Sequence, residues 1–255
     1  MAIYTISDLH LSFGTDKPMN IFGGAWQDHE RAVAENWREN VTDNDYVVMP
    51  GDHSWALRTE DAERDMLFIH ELPGTKILLK GNHDLWWATS AKMEAFKNKI
   101  GASSLIFMYN DSIAVRSSGK MYAIAGTRGW LCPGDSEYKA QTDEKIYTRE
   151  AGRLKGSLEK ARALLDAAPE DQRGDIIVFM HYPPYNGKNG KTATLFTDIL
   201  EEYQIKKCYY GHLHGFSEAS RAEAGRTNVV LCENGTKYSL VSCDYTGNKL
   251  IKVTE

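Results

Sequence analysis

The sequence predicts a mixed α/β domain in which helices cover the β-sheets, and three observations favour this class. Short apolar, β-branched runs alternate with amphipathic helical segments at the start and near the end of the chain. Strand-like runs joined by tight turns lie between those regions and again at the end. Hydrophobic residues make up 42% of the 255 residues and charged residues 25%, which is enough apolar material for a packed core.

The predicted strands are short, apolar and bounded by turn residues. They span residues 2–7, 45–49, 76–79, 105–109, 112–116, 121–125, 175–180 and 206–210, with further strand-like runs near 227–232, 237–243 and 248–253. The strands at 105–109 and 112–116 flank Asn110 and Asp111, and this spacing favours a hairpin.

The predicted helices carry apolar residues on one face. They span about 28–41, 59–71, 90–99, 142–168 and 194–203, and Thr59 is placed to cap the second of them. Residues 12–25 and 187–191 have the composition of loops, and residues 126–141 form a loop punctuated by Gly and Pro. Because there is no internal repeat and no low-complexity linker, we expect one domain over residues 1–255 with an insertion loop at about 126–141.

The charge balance and the cysteines restrict the possible partners and location. The chain has 30 Lys and Arg against 35 Asp and Glu, a net charge of −5, which disfavours nucleic acid as a partner. None of the four cysteines forms a Cys-x-x-Cys pair, so we expect reduced thiols. No apolar run reaches the ~20 residues that span a bilayer, and no leader pattern precedes the first strand. We therefore expect a cytoplasmic protein without a membrane partner, and the oligomeric state stays open.

Five predicted strands end in side chains that bind metals or move protons. In open α/β sheets such groups meet outside the carboxyl ends of the strands. Each group alone has an ordinary explanation, since Asp-x-His and Pro-Gly-Asp are common turns and a single His or Asn often only packs. Five groups at five strand ends favour a metal site. Its candidates are Asp8, His10, Asp52, His53, Asn82, His83, His181, His212 and His214.

The donor types restrict the metal. Carboxylate, imidazole and amide donors without thiolate suit manganese, iron or zinc. Without His53 and His83, the seven remaining candidate ligands exceed the three or four of a single catalytic zinc site. Two divalent or mixed-valence ions that share one carboxylate would use all seven, and the identity of the metal stays open.

The order of these motifs resembles that of the calcineurin-like metallophosphoesterase superfamily. The motifs are Asp8-x-His10, Gly51-Asp52, Gly81-Asn82-His83-Asp84, His181 and Gly211-His212-x-His214, and they cover residues 8–214. The resemblance implies two mixed β-sheets packed as a sandwich flanked by helices, with the metals at the strand ends. It also implies a role for each residue. Asp8, His10 and His214 would hold one metal, Asn82, His181 and His212 the other, and Asp52 would bridge them.

The resemblance further implies a metal-dependent phosphoesterase that cleaves a phosphate ester by attack of a metal-bridging hydroxide. His83 would act near the phosphate as a proton donor or electrostatic stabiliser, without binding metal. We expect a small-molecule phosphate ester as substrate. A phosphodiesterase acting on cyclic nucleotides, nucleic acid or a lipid-linked diphosphate is the alternative enzyme. A scaffold that has lost catalysis is the alternative from another class, and the intact ligands and His83 argue against it.

Three further residues are candidate substrate contacts. Arg128, in the loop 126–141, can clamp a phosphate through two N–H groups, although an exposed loop arginine often has no such role. His53 follows the predicted bridging carboxylate, and Tyr182 follows His181; support of the ligands and core packing are the respective alternatives. Asp84 can either orient His83 or cap a helix. The Arg and second acid expected after Asp52 in protein Ser/Thr phosphatases are missing, which argues against that branch.

Overall fold

A computed structural model describes residues 1–186, 193–215, 229–231 and 235–254 of the chain. The first sheet has the strand order β11-β1-β2-β3-β4 and the second has the order β5-β6-β7-β8-β10-β9. The first sheet contains β1 (Ile3–Thr5), β2 (Tyr46–Met49), β3 (Thr75–Leu79), β4 (Leu105–Met108) and β11 (Ile251–Lys252). The second contains β5 (Ser112–Ser117), β6 (Lys120–Thr127), β7 (Arg173–Met180), β8 (Lys207–Tyr210), β9 (Val229–Leu231) and β10 (Lys237–Leu240).

Helices connect the strands within and between the sheets. They are α1 (His29–Asn40), α2 (Glu63–Glu71), α3 (Ser90–Ile100), α4 (Ala140–Asp166), α5 (Leu195–Glu202) and the short α6 (Cys243–Thr246). Single turns of 3₁₀ helix occur at Met19–Phe22, Gly24–Trp26 and Glu170–Gln172. Among the described residues, no helix has both the length and the apolar character needed to cross a bilayer.

Three apolar layers hold the fold together, and the alternation of strand residues creates them. Val47 and Met49 of β2 pack with α1, α2 and α3, whereas Val48 between them faces the second sheet. On the second sheet, Ile177 faces the first sheet while Val178 packs against α4 and α5. The predicted sandwich of two mixed sheets between helices is confirmed.

The predicted hairpin at residues 105–116 is wrong. β4 pairs with β3 in the first sheet and β5 pairs with β6 in the second, so residues 109–111 carry the chain from one sheet to the other. The hairpin instead joins β5 to β6 through Ser118 and Gly119, which have φ values of +48° and +79°. Two successive residues with positive φ give the twist that a two-residue hairpin requires.

Other boundaries also differ from the prediction. Thr59 donates a hydrogen bond to the Trp86 carbonyl (2.8 Å), and α2 begins only at Glu63. The predicted strand 237–243 ends at Leu240 and is followed by α6. Residues 128–139 connect β6 to α4, and the single-domain organisation over residues 1–255 stays a prediction. The predicted loop 187–191 and residue Cys232 lie outside the described residues, while Cys132, Cys208 and Cys243 are buried free thiols.

Candidate metal centre

The seven predicted ligands follow the carboxyl ends of strands from both sheets. Neighbouring strands β1 to β4 are parallel, as are β6, β7, β8 and β10. The Ser7 N–H donates to the Val241 carbonyl (2.9 Å), which ties the extension of β1 to that of β10. The two sheets therefore present their strand ends at one edge. The ligands there are Asp8 and His10 after β1, Asp52 after β2, Asn82 after β3, His181 after β7, and His212 and His214 after β8.

The first half of the site consists of Asp8, His10 and His214, whose donor atoms all lie within 4.8 Å of one another. The Nε2 atoms of His10 and His214 are 3.2 Å apart, and His214 Nε2 is 3.3 Å from Asp8 Oδ1. Two imidazole nitrogens and a carboxylate oxygen thus face one small volume.

The second half is formed around the side-chain oxygen of Asn82. His181 Nε2 lies 2.6 Å and His212 Nδ1 lies 2.8 Å from Asn82 Oδ1. His181 Nδ1 is 3.0 Å from the Pro50 carbonyl oxygen, which can only accept, so Nδ1 carries the proton and Nε2 presents its lone pair. The lone pairs of His181 Nε2 and Asn82 Oδ1, 2.6 Å apart, repel each other unless a cation binds both atoms. This arrangement fits a metal ion.

Asp52 lies between the two halves. Its Oδ2 is 3.4 Å from His181 Nε2 and 3.8 Å from His10 Nε2, and it is buried without a hydrogen-bond partner in the described structure. Its Oδ1 accepts the backbone N–H of His83 (2.8 Å). A buried carboxylate oxygen left unpaired is costly, and a metal ion is the partner that its surroundings fit. Asp8, Asp52 and His181 form a second group whose donor atoms lie within 4.8 Å.

The pKa shifts of the protein groups, considered without a metal ion, are those expected of a site that binds cations. Burial, together with repulsion from Asp8 and Asp84, raises the pKa of Asp52 well above its ordinary value. Burial lowers the pKa of His181 to about 4 and that of His212 to about 3. His181 and His212 are therefore neutral and able to ligate at pH 7. Cations would offset the repulsion that disfavours an ionised Asp52.

Asp8 is a buried carboxylate that its neighbours keep ionised. Burial raises the pKa of Asp8, but the hydrogen bond and the positive charge of His214 outweigh it and hold the pKa far below the ordinary value. The Asp8 Oδ2 accepts hydrogen bonds from the hydroxyls of Ser7 and Ser242, the latter at 3.1 Å. Its Oδ1 accepts the backbone N–H of His212 at 3.0 Å. The hydroxyls and the amide fix the carboxylate in place.

Asp244 orients His214, and the sequence interpretation missed it. Its Oδ1 accepts a hydrogen bond from His214 Nδ1 (3.0 Å), which leaves Nε2 directed at the site. Burial lowers the pKa of His214, yet the hydrogen bonds to Asp244 and Asp8 raise it to about 10 in the metal-free protein. Asp244 follows β10, which is parallel to β8 and ends at the same edge. Extending the predicted strand to residue 243 concealed this position.

Asp84 holds two ligand loops together, instead of capping a helix or orienting His83. It is fully buried, and its carboxylate accepts the backbone N–H groups of Asp52 (2.9 Å), His53 (2.9 Å) and Gly81 (2.8 Å) and the Trp86 indole N–H (3.0 Å). The loop after β2 is thereby fixed to the loop after β3.

The backbone at the site adopts conformations that are rare for residues with a side chain. Asp8, His10, Asp52 and His212 have φ values of +59°, +46°, +54° and +71°. Such strain is typical of functional sites whose surroundings enforce it. A Cβ added to Gly211 would overlap the Asp8 carboxylate, so only glycine permits this approach.

His83 lies beside the metal-ligand groups without belonging to them. Its ring is 4.5 Å from that of Trp55 and 5.5 Å from that of His10, and the side chain is exposed. Partial burial against these rings lowers the pKa of His83. An accessible imidazole at the edge of a metal site is positioned to contact a substrate.

The candidate substrate contacts differ in accessibility. His53 has no exposed surface, and its Nε2 is 2.8 Å from the Leu79 carbonyl oxygen, so in this conformation it cannot contact a substrate. Tyr182 is only 6% exposed; its ring packs 4.2 Å from that of His212, and burial raises the pKa of its phenol to about 12. Arg128 is partly exposed, and its carbonyl accepts the N–H groups of His181 (3.2 Å) and Tyr182 (2.9 Å).

Comparisons with known proteins identify the family of the chain. Residues 1–216 match the family model of the calcineurin-like phosphoesterases. The fold resembles TT1561 of Thermus thermophilus, with a TM-score of 0.54, 12% identity, and 99% and 97% coverage of this chain and that chain. It also resembles the phosphopantetheinyl hydrolase PptH from Mycobacterium tuberculosis (TM-score 0.51, 16% identity, coverage 99% and 95%). A third is AQ665 from Aquifex aeolicus, a protein of unknown function (TM-score 0.50, 14% identity, coverage 98% and 95%). A search of curated proteins finds no match.

Proposed function

The chain belongs to the calcineurin-like phosphoesterase family, and from that premise we propose that it hydrolyses a small-molecule phosphate ester at a dinuclear metal centre. Metal-dependent hydrolysis of phosphate esters is the activity of the family. The number of metals, the residue roles and the substrate class are the proposal. One observation carries it: Asp52 Oδ2, buried and unpaired in the described structure, lies between the His10 and His181 nitrogens of two separate donor groups.

Each protein ligand has a distinct part in the proposed centre. Asp8, His10 and His214 would hold one ion, and Asn82, His181 and His212 would hold the other, with Asp52 available to both. When bound, two such ions supply a hydroxide nucleophile at neutral pH and neutralise charge on the phosphate oxygens. Nitrogen and oxygen donors without thiolate suit manganese, iron or zinc.

His83 is the proposed catalytic residue. Its backbone N–H donates to Asp52 Oδ1, which fixes the main chain of His83 relative to the centre. Because the pKa of His83 is lowered, the imidazole of the free protein is neutral at pH 7 and can donate an N–H hydrogen bond to the phosphate. A bound phosphate dianion would raise this pKa, which would allow proton donation to the leaving oxygen.

The remaining candidates support the site from different sides. Arg128 is the accessible cation nearest in sequence to the β6 end, and we retain it as a substrate contact. Tyr182 holds the His212 ring by packing, and its small exposed fraction limits contact with a substrate. His53 is assigned to the support of the loop after β2 through its bond to the Leu79 carbonyl.

Two variants test the residue roles. His83→Ala should lower kcat about 10²- to 10⁴-fold toward p-nitrophenyl phosphate while two metals per chain remain bound. His70→Ala, a histidine that bonds Ser104 outside the site, is the matched control and should keep full activity. Asp52→Ala should lose metal and activity together. Loss of metal in His83→Ala, or near-normal activity of metal-supplied Asp52→Ala, would overturn the assignments.

The ester class requires a separate measurement. A phosphodiesterase could use the same metal ligands, so the residues of the centre do not distinguish monoesters from diesters. Hydrolysis of p-nitrophenyl phosphate should exceed that of bis(p-nitrophenyl) phosphate in the presence of Mn²⁺. The opposite order would favour a phosphodiesterase.

A further inference from the structure

Three arginines that are not metal ligands surround a single buried carboxylate beside the carboxyl end of β6. We call Arg128, Arg149 and Arg153 the arginine cluster. One nitrogen of each lies 3.9, 3.7 and 2.5 Å respectively from Oε1 of Glu150, which has no exposed surface. One negative charge faces three positive charges, so the cluster has an excess of positive charge on a chain whose net charge is −5.

Glu150 is already satisfied by two of its neighbours. Arg153 donates to its Oε1 at 2.5 Å, and the Thr127 hydroxyl donates to its Oε2 at 2.8 Å. Arg128 and Arg149 approach the same Oε1 only to 3.9 and 3.7 Å, beyond hydrogen-bond distance. Their side chains are 23% and 55% exposed, so N–H groups of both remain available to a ligand.

The guanidinium of Arg128 is held in a defined position. It stacks over the Trp130 ring at 4.7 Å, and the Trp130 indole donates to Asp143 of α4 at 3.2 Å. A stacked arginine loses less conformational freedom when it binds an anion, and its planar fork matches the geometry of a phosphate.

The cluster adjoins the proposed metal centre. β6 and β7 are parallel neighbours with Thr127 opposite Met180, so Arg128 and the ligand His181 are the first residues beyond paired strands. Gly126 also allows close packing of the sheets, since a Cβ there would lie 2.9 Å from Leu79 Cδ2 at the end of β3. The residue after Leu79 is Lys80, which adds a further cation to this edge and donates to the Trp87 carbonyl at 3.0 Å.

We propose that Arg128 and Arg149, with Lys80, bind a second phosphate group of the substrate while the first is held at the metal centre. The inference rests on the proposed function and narrows it to small phosphate esters that carry another phosphate. Both guanidinium groups lie within 3.9 Å of the same Glu150 oxygen, so one phosphate can contact both. The local positive charge offers such a substrate an attraction that a neutral ester would not experience.

The test compares substrates that differ by one phosphate. Release of inorganic phosphate from adenosine 3′,5′-bisphosphate is measured against release from the two adenosine monophosphates, with Mn²⁺-loaded enzyme. The kcat/KM of the bisphosphate should exceed that of the monophosphates by about tenfold, the factor expected for a charged hydrogen bond. Arg128→Gln and Arg149→Gln should each reduce this preference, chiefly through a higher KM. Arg162→Gln is the matched control, because this exposed arginine of α4 bonds the Tyr203 carbonyl away from the arginine cluster and should keep the preference.

The outcomes separate the two proposals. If wild-type enzyme hydrolyses no phosphate ester, the proposed function fails. If it hydrolyses the monophosphates but shows no preference for the bisphosphate, or if both arginine variants keep that preference, only the second-phosphate site is overturned. Metal content and thermal unfolding of each variant show whether it is folded. If Arg128→Gln unfolds, Arg149→Gln still tests the second-phosphate site, because Arg149 is largely exposed.

Discussion

Replacement of Asp84 by Asn should destabilise the protein strongly, although the two side chains have the same shape. One Asp84 oxygen accepts the N–H groups of Asp52 and Gly81, and the other accepts those of His53 and Trp86. Whichever oxygen becomes the amide, at least two buried donors lose their acceptor. Each loss costs about 1–3 kcal/mol, so the variant should lose roughly 2–6 kcal/mol. That is a large fraction of the about 5–15 kcal/mol that stabilises a typical folded protein.

Thermal unfolding followed by circular dichroism measures this loss. At about 2–4 °C per kcal/mol for a chain of this size, a loss near 4 kcal/mol lowers Tm by roughly 8–16 °C. The Asp52 backbone loses a support, so metal affinity should also fall, by about 10- to 100-fold. Asp171→Asn, at an exposed position in a 3₁₀ turn, is the control and should leave Tm unchanged. A Tm for Asp84→Asn within about 2 °C of wild type would refute the role assigned to this carboxylate.

Three further predictions concern the centre itself. Asp244→Asn should weaken metal binding by about 10- to 100-fold, measured by competition with a chelator, because a single amide oxygen then replaces the two carboxylate oxygens that accept from His214 Nδ1 and from the Gly215 N–H. Gly211→Ala should abolish tight metal binding, since the added methyl overlaps the Asp8 carboxylate, and retention of two ions would contradict the close approach. The metal-free protein should be most stable near the ordinary histidine pKa of about 6.5. Above it, the stabilisation from His214 is lost progressively as pH rises toward a folded-state pKa of about 10. Below it, His181 becomes protonated in the unfolded chain but stays neutral in the folded protein until pH reaches its folded-state pKa of about 4. The free energy of unfolding therefore decreases as pH falls from about 6.5 to about 4. Urea unfolding across that range should show a maximum, and a monotonic curve would refute the two opposed shifts.

The proposed ligands could be placed at one edge of the sheets from the sequence because each follows an apolar strand within a few residues. His181 comes directly after β7, and Asp52 is three residues beyond β2, so local patterns place both at strand ends. Parallel pairing then brings the ends together without any detail of loop structure. The family resemblance added the division into two metals, which strand ends alone do not specify.

The interactions behind the ligands depend on contacts far apart in sequence, and local patterns do not reveal them. Asp84 reaches 32 residues back along the chain to the Asp52 N–H, and Asp244 reaches 30 residues to His214. The error at residues 105–116 has the same origin. β4 and β5 are close in sequence, but β4 gains a parallel partner in β3 and β5 an antiparallel partner in β6. A turn-like pair such as Asn110 and Asp111 is compatible with a connection between two sheets as well as with a hairpin.

The protein part of the centre is arranged at a cost to the stability of the metal-free fold. Burial and two neighbouring carboxylates oppose the ionisation of Asp52. Asn82 Oδ1 faces the lone pair of His181 Nε2 at 2.6 Å. The four left-handed ligand residues add backbone strain. Carboxylates whose hydrogen bonds are satisfied, such as that of Asp84, offset this repulsion and strain because they fix the loops whether or not metal is present. Ions that bind only the folded state would stabilise it further, by RT ln(1 + [M]/Kd). The same electrostatic repulsion that weakens the metal-free protein would then become the source of metal affinity, which explains why unpaired acceptors are kept in the interior.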